Sequence, residues 1–257
     1  MNNTDTGKIK DFFDRDARSR DEEFSSNRIL GYEQDARQEA ILSLIKNTYA
    51  LGLDAGCGNG RDFNMLLQHT RTVIGIDSSR EMVAEARIKA DKSPNGQRIH
   101  LAMADVTRLP FQNSSFDFIV CSEVLEHVPN WRKALLEFHR ILKPSGALII
   151  STPNKYSMYG LTRYPGRLVV GSKHPYDKWK SYFELRNALK SYGFEVNQAK
   201  GACYLPGDIG YHQPFKRVIA SCLGVIKFLE RTFLSHHLPF KLAGYTIVIR
   251  SRKLPIH

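Results

Sequence analysis

Between residues 50 and 151 the chain alternates between two patterns. Short apolar runs, ALGLDAG, TVIGID, RIHLAM, FDFIVC and GALIIS, end in small or acidic residues, and between them apolar positions recur at helical spacing. Strands alternating with helices build a parallel sheet covered on both faces. Ahead of them, Ile9, Phe12 and Phe13 open one helical stripe, and Ala36, Ala40, Ile41, Leu44 and Ile45 make a second. The pattern predicts an N-terminal helical cap over residues 1–48 and a main domain over 49–257.

The alternation breaks after Ser151. Residues 153–178 hold Pro153, Gly160, Pro165, Gly166, Gly171 and Pro175 among tyrosines and basic residues, the pattern of an irregular insertion. A helix is predicted from Trp179 to Tyr192, then a strand, GFEVNQA, and a loop around Pro206 and Gly207. A long helix from Phe215 to Leu234 and a last strand, GYTIVIR, complete the chain. On a wheel of about 100° per residue, Phe215, Val218, Cys222, Val225, Ile226, Leu229 and Phe233 share one arc, with Lys216, Arg217, Lys227 and Arg231 opposite. Such a helix can lie in a membrane interface, roof a lipid-like acceptor, or pack on its own domain.

Composition narrows the class. The 257 residues are 42% hydrophobic and 25% charged, which suits a globular core and excludes a disordered, collagenous or disulfide-stapled chain. Cys57, Cys121, Cys203 and Cys222 form no CxxC pair, so reduced thiols in a cytoplasm are expected. The start, MNNTDTGKIK, lacks the apolar core of a signal peptide, and no apolar run reaches the roughly 20 residues of a membrane span. The expectation is a cytoplasmic protein, or one resting on a membrane surface.

Charge is distributed unevenly. Residues 1–150 hold 20 basic and 21 acidic side chains, while residues 151–257 hold 17 and 5, so the net +11 comes from the second part. An anionic partner is expected there.

The chemistry concentrates around Leu53-Asp54-Ala55-Gly56-Cys57-Gly58-Asn59-Gly60. A strand entering a glycine-rich turn and then a helix sets backbone N–H groups against a ligand. Arg61 stands where a dinucleotide fingerprint has its last glycine, which counts against NAD or FAD. TVIGID ends at Asp77, 21 residues after Gly56, where a carboxylate can accept both hydroxyls of a ribose. RIHLAM leads to Ala104-Asp105-Val106, and FDFIVC to Ser122-Glu123. All four loops fall at carboxyl ends of strands, the ligand-binding edge of an open α/β sheet. Taken singly, Asp77 and Asp105 can also be read as strand-end caps.

LDAGCGNG, GIDSS, ADVTRLPF, SFDFIVCSEVLEHV and RILKPSGALIISTPN together resemble the class I S-adenosylmethionine-dependent methyltransferases, densely over residues ~50–154. The resemblance implies a Rossmann-like seven-stranded sheet of order 3-2-1-4-5-7-6 with an antiparallel strand 7 and helices on both faces. It also implies S-adenosylmethionine as cofactor. Asp54, Gly56, Cys57, Gly58 and Gly60 would approach its amino-acid part, and Asp77 with Ser78 its ribose. Asp105, between Ala104 and Val106, would take the adenine, and Ser122 would lie below the sulfonium.

Methyl transfer from a sulfonium is an in-line displacement, so the protein aligns the acceptor and, where needed, removes its proton. Glu123-Val124-Leu125-Glu126-His127 carries the candidate groups, with His127 and Glu123 as catalytic residues. Clustered carboxylates and an imidazole can also converge on Mg²⁺ or another divalent ion. The segment is similar to ubiquinone-biosynthesis O-methyltransferases, whose matching residues are associated with a divalent metal. It is also similar to small-RNA terminal 2′-O-methyltransferases, which add a later histidine after a TPN segment. Thr152-Pro153-Asn154 and His174 could play those parts, making the metal set Glu123, Glu126, His127 and His174. The plain alternative is a helix-starting turn in which His127 is a base or a structural hydrogen-bonder.

The non-motif stretches 153–180 and 200–240 are expected to face the acceptor. Tyr156, Tyr159, Tyr164, Tyr176 and Trp179 lie among Lys155, Arg163, Arg167, Lys173, Lys178 and Lys180, which suits a flat anionic acceptor, or a solvated loop with tyrosines packed beneath it. The expected function is methyl transfer to a small molecule, at oxygen of an aromatic, isoprenoid-linked or other anionic intermediate. The acceptor is expected to be acidic or lipid-like. An RNA methyltransferase would explain the basic half, but RNP, KH and zinc-finger spacings are absent. A non-catalytic cofactor-binding subunit is the third reading.

Overall fold

The computed structural model describes residues 3–17, 28–157, 159–161, 175–204, 215–234, 237 and 242–254, with the backbone alone for 3–6, 28–29 and 215–221. The apolar runs become strands β1 (Tyr49–Ala55), β2 (Thr70–Asp77), β3 (Ile99–Met103), β4 (Phe116–Ser122), β5 (Leu142–Pro153), β6 (Phe194–Ala202) and β7 (Thr246–Lys253). They form one sheet of order β3-β2-β1-β4-β5-β7-β6. Strands β1 to β5 pair in parallel, and β7 runs antiparallel to both β5 and β6. This is the Rossmann-like order that the motifs imply, the reversed seventh strand included.

The helices are α1 (Asn3–Asp16), α2 (Arg28–Leu44), α3 (Phe63–Leu66), α4 (Arg80–Lys92), α5 (Trp131–Ile141), α6 (Tyr182–Ser191) and α7 (Phe215–Leu229), the last continuing as a wide π-type turn over Glu230–Leu234. Both faces of the sheet are covered, which is why its strands read as unbroken apolar runs. Along β4, Ile119 and Cys121 share one core with Leu135 and Phe138 of α5 and Leu185 and Leu189 of α6. Phe118 and Val120 point the other way, into a core with Ile41 and Leu44 of α2, Phe63 of α3 and Ala86 of α4. Helix α2 thus lies on the sheet beside β5, β6 and β7, while α1 packs on α4.

Two elements differ from the sequence pattern. The helix expected from Trp179 begins at Tyr182, because Ser181 caps it by accepting from the Glu184 amide at 3.1 Å. Trp179 and Lys180 are instead extended, with the Lys180 carbonyl accepting from the Lys155 amide at 2.9 Å. Trp179 and Tyr159 are buried and pack with Tyr245, so these two aromatics fill space rather than offer a stacking surface. Arg163, Tyr164, Arg167, Lys173 and His174 lie outside the described residues. Lys227 of α7 and Arg231 of the turn after it pair with Asp35 and Glu39 of α2, while Val225, Phe228 and Leu229 face solvent. No helix among the described residues is long and apolar enough to cross a membrane.

Candidate functional site

The carboxyl ends of β1 to β4 open on a cleft of about 240 Å³ beside the point where strand order reverses. The turn after β1 forms its floor. Gly56 and Gly60 both adopt φ of 80°, in the left-handed region. A Cβ on Gly56 would lie 2.4 Å from Val124 Cγ2, and one on Gly60 2.5 Å from the Phe63 ring, so glycine alone fits either place. Among the expected cofactor residues, Asp54, Gly56, Cys57, Gly58, Asp77, Ser78, Ala104, Asp105, Val106 and Ser122 all line the cleft; Gly60 shapes the turn from outside it.

The acidic residues are held differently. Asp77 accepts the Gly58 amide on Oδ2 and the Ser79 amide on Oδ1, both at 2.9 Å, which fixes the carboxylate against the glycine loop. Asp105 Oδ1 accepts the Thr107 amide at 2.7 Å and hydroxyl at 2.8 Å, at an exposed position. Asp54 is buried, and its Oδ2 finds no hydrogen-bond partner among the described residues. Burial, then the charges of Asp62 and Asp77, push its carboxyl well above the usual range. An oxygen left in this state calls for a cation or donor from a ligand.

Past β4 the backbone bends sharply, with Glu123 at φ 55°. Ser151 Oγ donates to Glu123 Oε1 at 3.1 Å and lies 2.9 Å from Ser122 Oγ. Burial raises the Glu123 carboxyl to about 7. Glu126 is buried, accepts from Thr152 Oγ1 at 3.1 Å, and is pushed up by burial and by the charge of Glu123. His127 Nδ1 lies 3.0 Å from the Tyr176 carbonyl oxygen. A carbonyl only accepts, so Nδ1 carries the hydrogen and the neutral ring keeps its lone pair on Nε2. That nitrogen is 3.9 Å from Glu126 Oε1, and the ring meets the edge of Phe13 at 5.2 Å between centroids.

Of the expected metal set, the structure describes Glu123, Glu126 and His127. Among the described residues no three His, Cys, Asp or Glu side chains converge on one position. Glu123, Glu126 and His127 each spend an atom on Ser151, Thr152 or Tyr176. His174 lies outside the described residues.

Ile9, Phe13 and Arg37 are among the cleft residues that escaped sequence reasoning. Ile9 and Phe13 of α1, visible there only as an apolar stripe, cover the cleft. Arg37 of α2 reaches into it, 3.6 Å from Asp62, with an Nε that has no hydrogen-bond partner among the described residues. A lone arginine on a helix has no spacing signature that would have flagged it. Together, the orphaned Asp54 oxygen and Arg37 nitrogen offer opposite charges to one ligand, as the ammonium and carboxylate of a bound amino acid require.

A Rossmann-like sheet with this glycine turn and these strand-end acids defines an α/β protein with a nucleoside-binding edge. Residues 53–150 match the methyltransferase domain family, and the chain belongs to the S-adenosylmethionine-dependent methyltransferases. It is 31% identical to the ubiquinone biosynthesis O-methyltransferase of Rickettsia prowazekii over 178 residues, 65% of this chain and 69% of that one. A protein from a Streptomyces fradiae transposon is 37% identical over 105 residues, which cover only 30% of its length. In fold, the chain matches the methyltransferase solved in complex with the Haloferax volcanii Trm112 methyltransferase activator, with a TM-score of 0.69 and 22% identity over 97% of this chain and 99% of that one. The protein is therefore an S-adenosylmethionine-dependent methyltransferase.

Proposed function

We propose that the enzyme methylates an oxygen of a small acidic or isoprenoid-linked acceptor, with His127 Nε2 receiving the acceptor's proton. The carrying observation is the 3.0 Å contact of His127 Nδ1 with the Tyr176 carbonyl, which leaves the basic nitrogen on the other side of the ring. Glu126 Oε1, 3.9 Å from Nε2, steadies the imidazolium that forms. S-adenosylmethionine supplies a methyl group on a sulfonium that departs as a neutral thioether. Arg37 and Asp54 hold the carboxylate and ammonium of its amino-acid part. Asp77 with Ser78 takes the ribose hydroxyls, and Asp105 with Ala104 and Val106 the adenine. Ile9 and Phe13 exclude water from above.

The Rickettsia relative's name supports an oxygen acceptor, and the basic second part of the chain an acidic one. Free Cys57, Cys121, Cys203 and Cys222 are consistent with a cytoplasmic setting. A second reading, RNA as acceptor, draws on the same positive charge. A radiolabelled methyl-transfer assay on separate lipid, small-molecule and RNA pools decides. Label entering lipid or small molecules at an oxygen, and lost in His127→Ala, supports the proposal. Label entering RNA, or transfer undiminished in that variant, overturns it.

A further inference from the structure

Helix α7 is fastened to its own domain by its polar side. Lys227 Nζ reaches Asp35 Oδ2 at 3.3 Å and lies 5.6 Å over the Tyr32 ring. Arg231 Nε donates to Glu39 Oε2 at 2.9 Å. In the turn that extends α7, the buried carboxylate of Glu230 accepts the Cys203 amide at 2.7 Å and the Tyr32 hydroxyl. The opposite side is apolar and faces water: Val225 is 62% exposed, Phe228 63%, Leu229 46% and Phe233 46%. A surface helix normally buries its apolar stripe and exposes its charges. Here Leu223 and Ile226 pack against Tyr32, Ala36 and Cys203, yet a second apolar row stays outside, and an exposed apolar ridge of this kind marks a surface that something covers.

We propose that this ridge docks the enzyme on the surface of an anionic phospholipid bilayer. The inference is independent of which acceptor is methylated. Shape favours lipid over a bound small molecule, since a convex ridge can sink among acyl chains but forms no pocket. Charge favours it too. Residues 151–257 hold 17 basic and 5 acidic side chains, and Lys216 and Arg217 lie in the first turn of α7. Cations beside an inserted apolar face draw anionic headgroups. A second copy of the chain would instead bring the same positive excess against itself.

Co-sedimentation of the full chain with vesicles tests this. Vesicles of mixed phosphatidylcholine and phosphatidylglycerol should pellet the protein at low salt, with less pelleted at high salt and little by phosphatidylcholine alone. Phe228→Ser with Val225→Ser should weaken pelleting about tenfold, with S-adenosylmethionine affinity by calorimetry unchanged as the folding control. The unmutated backbone gives an independent readout. Cys222 is exposed while Cys57, Cys121 and Cys203 are buried, so an environment-sensitive fluorophore on Cys222 should shift to the blue with anionic vesicles. A wild-type chain that stays in the supernatant without a blue shift overturns the proposal. So does pelleting unaffected by a correctly folded double variant, or a wild-type dimer that the double variant dissociates and vesicles leave intact.

Discussion

Asp14 of α1 and Ser79 at the cap of α4 are joined: Asp14 Oδ1 accepts the Ser79 hydroxyl at 2.5 Å and the Glu81 amide at 3.3 Å. Ser79 follows directly on Asp77 and Ser78, so the helix that covers the cleft is tied to the segment that lines it. Asp14→Ala removes hydrogen bonds to a charged acceptor, worth about 1–2 kcal/mol at a partly exposed site. S-adenosylmethionine should then dissociate about tenfold faster in stopped-flow displacement. An unchanged rate would mean that α1 does not limit exchange.

His127→Ala should lower kcat by ~10²–10⁴, the usual contribution of a positioned general base. Cofactor affinity by calorimetry should stay within about twofold. Equal losses in both quantities would point to a structural part for the ring.

Arg37→Met should weaken S-adenosylmethionine binding by about 2 kcal/mol, or roughly thirtyfold. Decarboxylated S-adenosylmethionine should bind the wild type and the variant alike, because the lost partner is the carboxylate. If both ligands weaken together, Arg37 supports the cleft wall rather than the ligand.

Glu137 reports on stability rather than turnover. The Arg140 guanidinium, 2.8 Å from both carboxylate oxygens, and the Leu109 amide at 2.7 Å hold its carboxyl below the usual range. A carboxyl depressed on folding adds stability above its unfolded value of about 4.3 and loses it as pH falls through the folded value. Glu137→Gln should cost about 1 kcal/mol at neutral pH, after allowance for solvent screening. In urea titrations that gap should close below about pH 4. A constant gap down to acid would assign the effect to packing.

How much of this was legible depended on the reach of each interaction. The glycine turn and strand-end acids follow from a few adjacent residues, so Asp54, Asp77 and Asp105 stood out at fixed spacing. Arg37 and Phe13 did not, since their place depends on how two N-terminal helices cross a sheet formed later in the chain. The proton on His127 is set by a carbonyl 49 residues away. The wheel of α7 put Ile226, which packs inward, on one arc with Val225, Leu229 and Phe233, which face solvent, and could not say which side faces inward. Asp35 and Glu39, 192 residues earlier, decide that.

The reversed last strand also has a consequence for synthesis. Among the described residues β6 pairs with β7 alone, and β7 follows it in the chain. While the chain emerges from a ribosome, β6 can have no hydrogen-bonded neighbour until residues 246–253 have left the exit tunnel. The cofactor loops on β1 to β4 can form earlier, because their strands pair among themselves. Vectorial growth would thus finish the ligand-binding half first, leaving an open strand edge that residues 246–253 close.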